Sequence, residues 1–166
     1  MTYPEHTLDD LTRRLGEVPV VVGENSRGME PALLDAVARA GAEGFGELGV
    51  VVLDDHPAQA TDLRNLAQDL QLSTGLDTVI VRSPFSGAVV SDIHSRAELE
   101  SAQYAFLGNP DVPGATHVFI DHVAAAGASW PVFATLVVLA VFAVTVLTAW
   151  LAGPRSSGAG LLPWKG

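Results

Sequence analysis

The chain of 166 residues contains no cysteine. That removes disulfides, thiolate nucleophiles and every zinc site built on cysteine. Cations are also scarce: nine Lys and Arg stand against 19 Asp and Glu, for a formal charge of −10, and Lys165 is the one lysine. Arg in place of Lys, with abundant Ala and Val, points to a GC-rich source. A chain this poor in cations lacks the basic footprint that nucleic acid requires and is repelled by anionic lipid. There is no internal repeat and no long low-complexity tract.

The long feature that is present is apolar. Trp130 to Ala152 carries no charged residue, no His, no Asn and no Gln. At ~1.5 Å per residue, a helix over 130–152 would be ~34 Å long, enough to cross a hydrocarbon core of ~30 Å. Its Val, Leu and Phe side chains favour insertion by ~4–7 kcal/mol in sum. Thr135, Thr145 and Thr148 can bond back to carbonyls one turn earlier and so cost little in lipid. The sequence therefore predicts a C-terminal transmembrane helix, with Trp130 and Trp150 at its two ends as interfacial anchors and Arg155 just beyond.

The charge map gives that helix an orientation. All acidic residues precede His122, and this part of the chain carries about −12. The tail, 153–166, carries Arg155 and Lys165 and no acid. Basic residues near a membrane stay cytoplasmic, so the sequence places the tail in the cytoplasm and residues 1–126 outside. The expected domains are a soluble unit over 1–126, a hinge at 127–129, the membrane helix over 130–152 and a basic tail. A tail-anchored protein with a cytoplasmic domain is the alternative, because residues 1–16 have no apolar leader region.

Within the soluble unit, Thr7 is placed to cap a helix over Leu8–Leu15. Val18–Val22 reads as a short strand weakened by Pro19, and Gly23–Met29 as a loop. Pro31 opens a helix to about Glu43, with Leu33, Leu34, Val37, Ala40 and Gly41 on one face. Leu48–Leu53 is continuously apolar, as a strand buried on both faces is. Thr61 caps a helix over Asp62–Leu72. Asp77–Arg82 and Ala88–Ile93 form a hairpin around the turn Ser83–Gly87. Ser95 and Glu98 form a capping box for a helix to Leu107. Asp111–Thr116 reads as a loop and His117–Ala126 as a short helix. The fold class that follows is a small α/β sandwich, with a mixed sheet of three or four strands flanked by helices.

The stretch from Leu48 to Gln103 resembles the TPM domain, a small α/β module of membrane-tethered proteins. There too, a helix after the first central strand precedes a strand–turn–strand pair. The resemblance lies in apolar pattern; it implies either phosphatase and calcium chemistry or assembly of membrane complexes, and it carries over no catalytic residue. The whole layout also resembles a family of small, uncharacterised, single-span actinobacterial membrane proteins, some encoded beside cell-envelope peptidoglycan endopeptidases.

Candidate chemistry is sparse. Asp54, Asp55 and His56 follow a strand at its C-terminal end, where open α/β sheets bind ligands. Asp77 or Asp92 could join them in holding a cation, although calcium needs six or more oxygens and no loop of alternating acids exists. The same residues suit an ordinary strand-to-helix loop. His94, His117 and His122 fit no zinc spacing. Ser83–Gly87 lacks the G-x-S-x-G elbow, and Gly41–Gly49 is neither a dinucleotide fingerprint nor a phosphate loop. Phe85, at a hairpin tip, is a candidate for protein contact.

The sequence thus predicts a non-enzymatic, membrane-anchored accessory protein without a cofactor. Its acidic domain would bind membrane or cell-envelope proteins, and residues 130–152 would contact the bilayer. The alternative activity is metal-assisted phosphatase or hydrolase chemistry on Asp54, Asp55 and Asp77.

Overall fold

The computed structural model describes residues 5–55 and 59–151. In chain order the elements are α1 (Glu5–Glu17), β1 (Val20–Val22), a 3-10 helix (Glu24–Met29) and α2 (Glu30–Ala42). They continue with β2 (Leu48–Val52), α3 (Ala60–Thr74), β3 (Thr78–Arg82), β4 (Gly87–Ser91), α4 (Arg96–Leu107) and α5 (Val112–Leu151). The strands form one sheet in the order β1-β2-β3-β4. The first three are parallel, with Val20 opposite Val50 and Val50 opposite Ile80. The antiparallel β4 closes one edge, Ile80 lying opposite Val89.

These strands have no polar face, so both faces must be covered. Alternation along each strand sorts the core into two layers. Val21, Val51, Val79 and Val81 meet Leu11 and Leu15 of α1 and Leu63, Leu66 and Leu70 of α3. Val20, Val22, Val50, Val52 and Ile80 meet Leu33 and Ala36 of α2, Leu99 and Phe106 of α4, and Phe119 and Ile120 of α5. Phe106 and Phe119 pack with ring centroids 5.4 Å apart and planes tilted by 54°, a geometry contributing ~0.5–1.5 kcal/mol beyond burial.

The β1-α2-β2 and β2-α3-β3 crossovers advance across the sheet in the same direction, yet α2 and α3 cover opposite faces. The two crossovers therefore have opposite hands, and one is an exception to a rule that holds in ~98% of cases. All three helices that lead into parallel strands (α1, α2 and α3) end at the edge where those strands begin.

Several local expectations change. Gly23–Met29 is a 3-10 helix rather than an open loop. Thr7 and Thr61 lie inside α1 and α3, not at their caps; α3 begins after Gln59, with no side-chain cap bond. Asp111–Thr116 is the start of α5. Asp111 makes it so: its carboxylate accepts from the Gly114 N–H at 3.2 Å and its carbonyl from the Ala115 N–H at 2.8 Å. Pro113, in the first turn, has no N–H to leave unsatisfied. The backbone stays helical through 127–129, and the chain divides into compact units after Gly127.

The expectation of a transmembrane helix over 130–152 is overturned, and the fold class is corrected accordingly. Among the described residues no helix is long and apolar enough to cross a membrane. The first turns of α5 bury Val112, Ala115, Phe119, Ile120 and Val123 in the domain core, interleaved with Thr116, His117, Asp121 and His122.

The Ser95–Glu98 capping box is formed in full. The Ser95 N–H donates to the Glu98 carboxylate at 2.7 Å, and the Glu98 N–H to the Ser95 hydroxyl at 3.3 Å. Bonding to Ser95, through its hydroxyl first and its backbone second, holds the Glu98 carboxyl below its ordinary pKa. A carboxyl depressed in the folded state adds stability above its unfolded pKa, and that stability is lost as pH falls through the folded value. Glu98→Gln should therefore lower the urea midpoint at neutral pH and lose less stability than the wild type on acidification below ~4. Parallel acid limbs in the two proteins would contradict the box.

Candidate functional site

The carboxylates that the sequence singles out lie at opposite ends of the sheet. Asp54 follows β2 at its C-terminal end. Its two oxygens accept from the Asn25 N–H and the Ser26 hydroxyl, each at 2.9 Å. Gly23 makes that approach possible, since an added Cβ would stand 2.4 Å from the Asp54 carboxylate carbon. Asp54 thus pins the 3-10 helix to the sheet. Asp55 beside it is exposed. His56 lies outside the described residues.

Asp77 precedes β3, at the other edge. Its carboxylate accepts from the Glu47 N–H at 2.8 Å, and its carbonyl accepts from Asp92 N–H, Gln71 Nε2 and Ser91 Oγ. β2 and β3 are parallel and in register from Leu48 opposite Thr78, so Asp77 stands level with Glu47 and Asp54 lies seven residues further along, ~23 Å at ~3.3 Å per residue. Asp92 is exposed near Asp77. Among the described residues no three His, Asp or Glu form a group able to hold a metal ion.

The histidines are also dispersed. The His94 ring stacks on Phe45 with centroids 4.3 Å apart, and its Nε2 lies 3.0 Å from the Phe45 carbonyl. His117, on α5, faces α2, with Nδ1 3.4 Å from Arg39 and Nε2 4.0 Å from Asp35. Arg39 also pairs with Asp121 and, at 3.0 Å, with Glu43. Those bonds, to Asp121 first and Glu43 second, raise the Arg39 pKa and join α2 to α5. His122 is exposed. Ser83 closes the β3–β4 turn, its hydroxyl and N–H both donating to the Ser86 carbonyl. Phe85 at the tip is 83% exposed. Trp150 is 78% exposed; the Trp130 side chain and Arg155 lie outside the described residues.

Two features escape the sequence reading. Arg82, at the end of β3, is only 4% exposed. Its Nη2 donates to the Leu107 and Asn109 carbonyls at 2.9 and 3.2 Å, its guanidinium lies 5.3 Å from the Phe106 ring centroid, and Nη1 has no partner. Burial lowers its pKa. The signal was the alternation itself: Arg82 shares a face with Ile80, which points inward. The second feature is a trough of about 600 Å3 where the strands begin, with Leu15, Val37, Leu48 and Leu76 among its lining. Its residues come from four segments, so no local pattern marks it.

Fold and geometry together define a small mixed α/β protein with an acidic domain, no assembled catalytic cluster among the described residues and an exposed apolar helix. The chain belongs to the family described as membrane protein Rv1476, whose match covers residues 2–159. It is therefore a membrane-protein family member. The fold is similar to the solution NMR structure of the N-terminal domain of the cg2496 protein from Corynebacterium glutamicum. That likeness has a TM-score of 0.54 at 17% identity, covering 65% of this chain and 78% of the other. No curated protein matches the sequence.

If Asp54 and Asp77 act separately on backbone donors, their deletions should be independent. Asp54→Ala and Asp77→Ala should each cost ~1–3 kcal/mol in urea unfolding, from donors left unpaired. The double variant should equal their sum within ~0.5 kcal/mol. A coupling above ~1 kcal/mol would place the two carboxylates in one site.

Proposed function

We propose that this protein is a non-enzymatic, membrane-associated accessory protein whose acidic α/β unit binds membrane or cell-envelope proteins. The observation that carries the reading is the spending of Asp54 on the Asn25 N–H and Ser26 hydroxyl, and of Asp77 on the Glu47 N–H, at opposite ends of the sheet. A hydrolase would need them convergent on one substrate. The unit over Leu48–Gln103 is read as TPM-like, on its order of strand, helix, strand, turn, strand and capped helix.

The membrane side of the proposal rests on the family and on α5. From 134 to 150 every described side chain is exposed, including Leu136, Val138, Phe142, Leu147 and Trp150. An apolar surface that continuous marks a contact with lipid or protein. Thr145 and Thr148 bond back to carbonyls of their own helix, so neither presents an unpaired hydroxyl to an apolar neighbour. We place the acidic unit on the envelope side of the plasma membrane, where its surplus of acid avoids the anionic cytoplasmic leaflet.

Purification of the full chain in mild detergent should enrich a specific protein in stoichiometric amount. A chain that elutes alone would refute the accessory role, and turnover of a generic phosphate ester abolished by Asp54→Ala would refute its non-enzymatic part. Placement has its own measurement, made clean by the absence of cysteine. An Ala97→Cys variant, at an exposed position, should react with a membrane-impermeant maleimide in intact cells. Reaction only after lysis would move the domain to the cytoplasm.

A further inference from the structure

The trough at the edge where the parallel strands begin is built for an occupant of a particular chemistry. Leu15, Val37, Leu48 and Leu76 give it an apolar floor, and Glu17, Glu47 and Asp77 stand around it. Its ~600 Å3 falls within the ~300–1,000 Å3 of ordinary ligand pockets, and it opens broadly to solvent.

Several charges and dipoles of one sign converge there. α1, α2 and α3 all end at this edge, each presenting the negative end of its dipole. Glu47 and Asp77 have no cationic partner among the described residues. The nearby arginines are already engaged: Arg13 with Asp10 and Glu17, and Arg39 with Glu43 and Asp121. The walls are also lower than the fold requires. Gly16 lies in the last turn of α1 and Gly41 in the last turn of α2, and a Cβ built at either would meet nothing within 4 Å. Each glycine costs its helix up to ~1 kcal/mol relative to alanine. Among the described residues no packing calls for either glycine.

We propose that this groove is the docking site for a partner segment in which apolar side chains are flanked by Lys or Arg. The proposal rests on the accessory-protein reading above and gives its partner a chemistry. The apolar anchors fill the trough, and the cations lie against Glu47, Asp77 and the helix ends. The order of contributions follows: apolar burial gives affinity, and charge gives orientation and on-rate.

The test uses the full chain in nanodiscs of zwitterionic lipid and a fluorescein-labelled peptide, Lys-Arg-Leu-Trp-Leu-Arg-Lys, read by anisotropy. Saturable binding is expected, weakening ~10-fold or more between ~50 and ~500 mM salt as screening sets in. Gly41→Leu, which fills the groove from an open position, and Glu47→Lys, an exposed change, should each weaken binding by ~10-fold or more while leaving the circular dichroism unchanged. Gly41→Ala should bind as the wild type and unfold at higher urea. The proposal is overturned if the peptide does not bind, if its counterpart with Glu for each Lys and Arg binds equally well, or if both groove variants bind like the wild type. A partner retained equally by wild type and groove variants in the detergent purification would also overturn it, leaving the accessory role intact. Absence of any partner there would instead strike the accessory role.

Discussion

The constraint on which this fold depends is that its central strands have no face fit for water. Val20–Val22, Leu48–Val52 and Val79–Val81 are buried on both sides. Two layers of helix must therefore be recruited, and the chain supplies them from α1 and α3 on one side and α2, α4 and α5 on the other. This is why the first turns of α5 cannot belong to an independent membrane segment: Phe119, Ile120 and Val123 are needed to finish the second layer. The same constraint accounts for Gly49. An added Cβ there would stand 2.6 Å from Leu76 and 3.3 Å from Leu15, so the sheet and its cover leave room for no side chain at that point.

Much of this was legible in local pattern. LGVVV and TVIVR have the continuous apolar character of strands covered twice, and SPFSG between two such runs marks a hairpin. Ser95 and Glu98 declare a helix start by chemistry that acts over one turn. What escaped depends on contacts distant in sequence. Gly23 to Met29 looks like a loop because the bonds that organise it come from Asp54, far along the chain. Asp111 to Thr116 looks like a loop because proline and glycine are there, yet Asp111 caps the helix and Pro113 fits its first turn. The opposite hands of the two crossovers have no signature in any one segment, since each of α2 and α3 has an apolar face that either layer would accept. Likewise, nothing local shows that the helix begun at Val112 gives its first turns to the domain core and continues without a break through 127–129.

The candidate site shows the same division. Asp54 and Asp77 were visible as acids beside strands, and a carboxylate at a strand end reads equally as a ligand or as a backbone acceptor. Only the parallel register separates the two, by putting one at the finish of β2 and the other at the start of β3. Arg82 carried the opposite ambiguity. At the end of an apolar strand it reads as a solvent-facing terminus, but alternation sends it inward with Ile80.

Arg82 also explains how the second layer is held together without a buried acid. Its Nη2 reaches the carbonyls of Leu107 and Asn109, at the end of α4, where backbone acceptors have no intrahelical partner. The charge then serves two ends at once: it satisfies carbonyls that burial would otherwise strand, and it favours the negative end of the α4 dipole. A carboxylate partner would bring a second desolvation cost of several kcal/mol. With helix carbonyls and the Phe106 ring face as counter-groups, only one charge is taken out of water. The cost that remains is visible in the unpartnered Nη1 and in the lowered pKa. The sheet is thus tied to α4 by its one buried cation among the described residues. Acids are spent at the surface, on Asn25, Ser26 and Glu47, or left in excess at the edge where the strands begin. That separation of roles lets a chain so rich in acid keep a continuous apolar core.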